Sequence, residues 1–265
     1  VKFIQTLILT LLCACLVYFG FIFISQFDQV KKTTSPQEAK EKEKENDTAL
    51  AAEETHSTKK TETTHSSLKG NKKAMDVILF NQMDAPKLYN GCEVTSLAML
   101  LHYSGYEHIT KNALANEIKR VPLNYENGLK GDPHDGFVGD MENGPGLGVY
   151  HEPIYQLAKK YAGNQAVDLT GKPVKKAIYQ SLEKGYPVWV ITTSTFAKTD
   201  NIETWNTPNG KIDISFNMHS VVITGYDKDH VYLNNPYGEK NQKVDREQFE
   251  DSWKQMGSQA IIIKA

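Results

Sequence analysis

Between residues 74 and 265 the hydrophobic period changes once, near Pro187, and that change limits the folds open to the chain. Before it, apolar residues recur at helical spacing. Val94, Leu97, Ala98 and Leu101 fall at i, i+3, i+4 and i+7, and Ile154, Leu157, Ala158 and Tyr161 repeat the pattern. Lys111 to Lys119 reads as a further helix, and Pro173 opens another that Gly185 stops. After Pro187 the apolar residues come in short β-branched or aromatic runs bounded by turn residues: Val188–Ile191, Ser220–Thr224, His230–Leu233 and Ala260–Ile263. Asp227-Lys228-Asp229 suits a hairpin turn between two of them. One helix interrupts the strands, with Asp245 and Gln248 as a capping box, Phe249, Trp253 and Met256 on one face, and Gly257 at its end. Helices succeeded by mostly antiparallel strands predict an α+β fold rather than a doubly wound sheet.

The rest of the chain cannot join that core. Residues 3–25 are almost wholly apolar, long enough for the roughly 20 residues that a bilayer crossing takes and longer than a signal-peptide core. Ile24-Ser25-Gln26-Phe27-Asp28 is a poor cleavage site, so residues 1–27 read as an uncleaved membrane anchor. A cleaved signal and a lipoprotein site at Leu12-Cys13-Ala14-Cys15 are the alternatives, and all three would export the C-terminal domain. Residues 28–73 are rich in Lys, Glu, Thr and Ser and hold too little apolar surface to offset chain entropy, which predicts a disordered linker. The expected organisation is therefore anchor 1–27, linker 28–73 and an extracytoplasmic domain over 74–265, expected to be monomeric. A net charge of -2 without a basic stripe gives no case for nucleic acid.

Cys92 is the only cysteine in that domain, so it has no intramolecular disulfide partner. An intermolecular bridge, an inert buried thiol and a nucleophile remain. Its place in the first turn of a helix favours the nucleophile. Unpaired N–H groups and the positive end of the helix dipole there predict a thiol pKa lowered from about 8.5 toward neutrality. A nucleophilic thiol needs a base, and the base needs a group that fixes its ring. His102, His108, His134, His151 and His230 stand in a helix or near turns, where a functionless histidine is the plain expectation. His219 opens an apolar strand that could hold its ring rigid. If that strand pairs through the Asp227–Asp229 turn with the next, Asn235 returns to the neighbourhood of His219, and its carbonyl could accept the imidazole N–H.

Gln82, Asn90-Gly91-Cys92-Glu93-Val94-Thr95-Ser96-Leu97-Ala98-Met99-Leu100-Leu101, Gly139-Asp140, Gly146-Leu147-Gly148-Val149-Tyr150, Gly185-Tyr186-Pro187-Val188 and His219-Ser220-Val221-Val222-Ile223-Thr224-Gly225-Tyr226 together resemble the freestanding C39-like cysteine peptidases of bacteria. The resemblance covers residues 76 to 265. It implies a papain-like fold with Cys92 as nucleophile, His219 as base and Asn235 as orienter, where many relatives carry Asp before the proline. It also implies that Gln82 donates to the oxyanion beside the Cys92 backbone N–H, a contact whose loss can cost about 2.7–4 kcal/mol in the transition state.

The glycine-rich stretch from Gly131 to Gly148 reads as a groove wall or a packed loop. Its acidic residues lack EF-hand spacing, and no clustered Cys/His pattern suggests zinc, so neither a metal nor a cofactor is expected. The expected activity is hydrolysis of a peptide or protein substrate. Acyl transfer on the same residues, or a non-catalytic surface peptide- or cell-wall-binding module, are the alternatives.

Overall fold

A computed structural model describes residues 72–264. The expected anchor, residues 28–71 of the expected linker, and residue 265 lie outside the described residues. Among the described residues no helix is long and apolar enough to cross a membrane. Lys72 already pairs with Tyr226 through two backbone hydrogen bonds of 2.9 Å. Gly225 permits that approach, because a Cβ there would stand 2.7 Å from the Lys72 carbonyl oxygen and from the Ala74 Cα.

The centre of the fold is helix α1 (Cys92–Tyr103), laid across a six-stranded antiparallel sheet. In spatial order the sheet runs β10 (Glu239–Asp245), β9 (His230–Asn235), β8 (Met218–Tyr226), β5 (Val188–Thr193), β11 (Ala260–Ile263) and β4 (Ala166–Asp168). The other helices are α2 (Lys111–Glu117), α3 (His151–Ala162), a π-helical turn Lys175–Tyr179 running into α4 (Gln180–Glu183), and α5 (Arg246–Gln255). All four apolar runs noted after Pro187 are strands, and Asp245 caps α5 by accepting from the Gln248 N–H at 2.9 Å.

Continuous rather than alternating apolar runs signal a sheet covered on both faces. In β5, Trp189 and Ile191 pack with Val94, Leu97, Ala98 and Leu101 of α1, while Val188 and Val190 pack with Phe249 and Trp253 of α5. In β11, Ile261 and Ile263 face the first cluster, and Ala260 and Ile262 the second. Each such apolar side chain contributes about 1.5–3 kcal/mol when fully buried.

Two elements differ from the sequence expectation. Helix α1 is not amphipathic in place: every residue from Cys92 to Leu101 is buried, including Glu93, Thr95 and Ser96. The sheet covers one side, and α2, α3 and the glycine-rich segment cover the other. The stretch from Gly131 to Gly148 is not a plain loop. It supplies β2 (Phe137–Gly139) and β3 (Gly146–Gly148), which with β1 (Arg120–Val121) make a three-stranded sheet. A hairpin of β6 (Glu203–Thr207) and β7 (Gly210–Ile214) carries no continuous apolar run and escapes a hydrophobic reading.

Candidate active site

Two contacts fix the start of α1 against the sheet. The Ser96 hydroxyl donates to the Ser220 carbonyl at 3.1 Å, and the Trp189 indole N–H donates to the Glu93 carbonyl at 3.0 Å. Ser220 comes directly after His219, so the first of these contacts sets the cysteine end of α1 against the strand segment that carries the histidine. Thr95 donates through its hydroxyl to the Gly91 carbonyl at 2.7 Å and holds the turn that enters the helix. No side chain caps that end, so the first N–H groups of α1, that of Cys92 among them, lack intrahelical acceptors.

The β8–β9 hairpin returns the chain as its turn residues predict. His219 Nε2 and Asn235 Oδ1 lie 2.9 Å apart, both residues buried. A carbonyl oxygen only accepts, so Nε2 carries the proton and Nδ1 keeps a free lone pair. The amide is itself oriented: Asn235 Nδ2 donates to Gln242 Oε1 at 2.9 Å, and Oδ1 also accepts from the Tyr237 backbone N–H at 3.1 Å. The Tyr237 ring stacks on the imidazole, with centroids 4.7 Å apart and planes at 7°. With its own ring half exposed, Tyr237 covers the His219–Asn235 bond on one side.

The electrostatics reverse one sequence expectation. Burial pushes the Cys92 thiol well above its ordinary range, and the neighbouring Glu93 charge adds to the rise. Burial takes His219 down to about 4, more than its bond to Asn235 restores. The helix-start position was expected to lower the thiol pKa. Removal of both groups from water outweighs it, which favours the neutral thiol and the neutral imidazole. Asn rather than Asp as third partner fits that state, because it orients the ring without stabilising a charge on it.

Glu93 is a residue whose role no sequence pattern signals. It is fully buried, and its Oε1 accepts from the Val149 N–H at 3.1 Å while Oε2 has no partner. Burial raises it to about 7. Gly148 leaves the space for it: a Cβ there would stand 2.2 Å from Glu93 Oε1 and 2.2 Å from the Met218 Cε, at φ +129°. The glycine-rich segment thus packs on the start of α1. Only proximity in the fold reveals this, since Glu93 and Val149 are 56 residues apart.

Gln82 is buried and ties the asparagine end of the site to the cysteine end. Its backbone N–H donates to the Pro236 carbonyl at 2.8 Å, next to Asn235, and its Nε2 donates to the carbonyls of Tyr89 at 2.8 Å and Leu88 at 3.3 Å, in the loop that leads to Cys92. Its Oε1 is buried without a partner. Lys111, itself buried, donates to the carbonyls of Asp84 and Pro86 and stiffens the same loop.

Two histidines expected to be functionless are not isolated. His134 and His151 converge on Glu152, at 2.7 Å and 3.2 Å from its Oε1. The turn ahead of β2 and the start of α3 bring together two histidines 17 apart in sequence, a juxtaposition no linear spacing shows.

A cysteine at the head of a helix, laid across an antiparallel sheet that carries histidine and asparagine on adjacent strands, is the arrangement of papain-like α+β proteins. The model of the Peptidase_C39 like family matches residues 74–261, and the chain belongs to that family. It is 67% identical over 197 residues to the uncharacterized protein YvpB of Bacillus subtilis (strain 168), an alignment that covers 74% of this chain and 78% of that protein. It is also similar to the crystal structure of a candidate C39-like peptidase from Bacillus anthracis, with a TM-score of 0.70 and 46% identity over 74% of this chain and 98% of that one. Family membership points to cysteine peptidase chemistry.

Proposed function

We propose that the chain is a cysteine peptidase acting outside the cytoplasmic membrane, with Cys92 as nucleophile, His219 as base and acid, and Asn235 as the residue that orients His219. The observation that carries the reading is the buried 2.9 Å bond from His219 Nε2 to Asn235 Oδ1, which leaves Nδ1 free on a strand that the Ser96–Ser220 bond ties to the cysteine end of α1. The apolar run at residues 3–25 supports the extracytoplasmic location and a membrane tether.

From a neutral pair the chemistry begins with proton transfer. The Cys92 sulfur attacks the scissile carbonyl carbon as its proton moves to His219 Nδ1. The resulting oxyanion is assigned to the Cys92 backbone N–H and the Gln82 amide, whose 3.3 Å bond to Leu88 is the weaker of its two and the one to be exchanged. Collapse breaks the C–N bond, and His219 gives its proton to the departing amine. Water, deprotonated by His219, then attacks the thioester, the C–S bond breaks, and the product acid leaves with the thiol restored.

The test is to incubate the protein with a peptide library and read new termini by mass spectrometry, beside Cys92→Ala and His219→Ala. Termini formed by the wild type and lost in both variants support the reading. Products joined to an added amine such as glycinamide, in excess over hydrolysis, would make the activity acyl transfer. Retention of peptides without cleavage, equal in all three proteins, would replace the reading with a binding module.

A further inference from the structure

We infer that His134, His151 and Glu152 form a binding site for a divalent transition metal of the zinc type, separate from Cys92 and His219 and independent of the peptidase reading. One donor atom from each residue lies within 4.8 Å of the other two. Donors on a tetrahedral zinc ion stand about 3.3 Å apart, given bonds of about 2.0–2.1 Å. The observed 2.7 Å from His134 Nδ1 to Glu152 Oε1 and 3.2 Å from His151 Nε2 to the same oxygen are close to that spacing. Small side-chain adjustments would admit an ion.

What distinguishes this cluster from a surface ion pair is its support. His151 Nδ1 donates to Asp168 Oδ2 at 2.7 Å, which turns Nε2 toward the cluster. A carboxylate behind a ligating imidazole is the usual outer partner of a zinc histidine. His134 is held twice, by its backbone N–H on Asp132 Oδ1 at 2.9 Å and by the edge-on ring of Tyr150, with centroids 4.7 Å apart. The Glu152 Oε2 atom is buried and has no hydrogen-bond partner. Two imidazoles and one carboxylate select a zinc-like ion over calcium or magnesium, which prefer all-oxygen sets.

The surroundings supply access and a consequence. Two cavities of about 370 Å³ each meet at the cluster, one lined by His134 and Glu152 and the other by His134 and His151. A fourth position on the ion can therefore be filled from solvent. An ion there would join the glycine-rich segment, through His134, to the start of α3 and, through Asp168, to the edge strand β4. Its binding would stabilise the folded state by mass action.

The test uses the full chain carrying Cys13→Ser, Cys15→Ser and Cys92→Ala, so that no thiol competes, stripped with EDTA and titrated with Co²⁺ and Zn²⁺. One equivalent of Co²⁺ with visible d–d absorption, displaced by Zn²⁺, is expected, together with a Zn²⁺-dependent rise in Tm. His134→Ala, at a largely exposed side chain, should fold, as checked by circular dichroism, and bind at least about 100-fold more weakly. Asp168→Asn should weaken binding about 10–100-fold, the usual effect of losing an outer partner. Saturation only above millimolar metal, or equal uptake by the parent and His134→Ala, would overturn the assignment.

Discussion

Replacing Glu93 by glutamine tests the electrostatics of the site through stability alone. The side chain is fully buried, and its carboxyl is raised from 4.5 to about 7 by burial. Below about pH 4.5 it is protonated in both folded and unfolded chains and costs nothing. Between 4.5 and about 7 the unfolded chain loses the proton while the folded chain keeps it, so stability falls as pH rises. Above about 7 the whole difference is lost, which at about 1.4 kcal/mol per pH unit comes to about 3 kcal/mol. Glutamine has the same shape, can still accept from the Val149 N–H, and never ionises. Glu93→Gln should therefore match the wild type near pH 4.5 and exceed its stability by about 3 kcal/mol near pH 8. Urea unfolding monitored by fluorescence of the buried Trp189 and Trp253 would show this. For a slope of about 2 kcal/mol per molar urea, the midpoints should separate by about 1.5 M at pH 8 and converge at pH 4.5. Comparing the two proteins at each pH cancels the titration of shared groups that do not feel Glu93, His219 among them, and near pH 8 the Cys92 thiol keeps its proton in both. A separation that is the same at all pH values would refute the reasoning, since it would mean that the carboxyl does not titrate differently in the folded state.

The same geometry sets two other expected outcomes. Cys92 should react with iodoacetamide more slowly than an ordinary cysteine at neutral pH, accelerate only toward alkaline pH, and accelerate at lower pH in Glu93→Gln; a thiolate plateau in acid would contradict the neutral pair. Gly148→Ala should lower stability by about 3 kcal/mol in thermal or urea unfolding, because its Cβ meets Glu93 and Met218 at 2.2 Å and its φ is +129°; a loss under about 0.5 kcal/mol would show that the segment moves aside freely.

Much of the arrangement was legible because it is local. The runs Val188–Ile191 and Ala260–Ile263 read as strands from their short length and bounding turn residues, and Asp245 with Gln248 marked the start of α5. His219 and Asn235 could be paired in advance because one hairpin turn separates their strands and antiparallel pairing is a short-range rule. Cys92 at a helix start was equally visible, since the period of Val94, Leu97, Ala98 and Leu101 depends on neighbours in sequence.

What the chain's own order could not show is what lies across the fold. Helix α1 reads as amphipathic, yet it is enclosed, because the covering segments come from residues 111 to 162. That enclosure decides the protonation of the site: the helix dipole is a property of the local backbone, whereas desolvation depends on every element packed around the thiol and the imidazole. Glu93 against Val149, and His134 beside His151 and Glu152, likewise exist only once distant segments meet. The sequence by itself determined the main helices, the four apolar strands, the cysteine, and the histidine and asparagine one turn apart. The tertiary structure decided their charge state and their neighbours, because burial and long-range contact are properties of packing rather than of spacing along the chain.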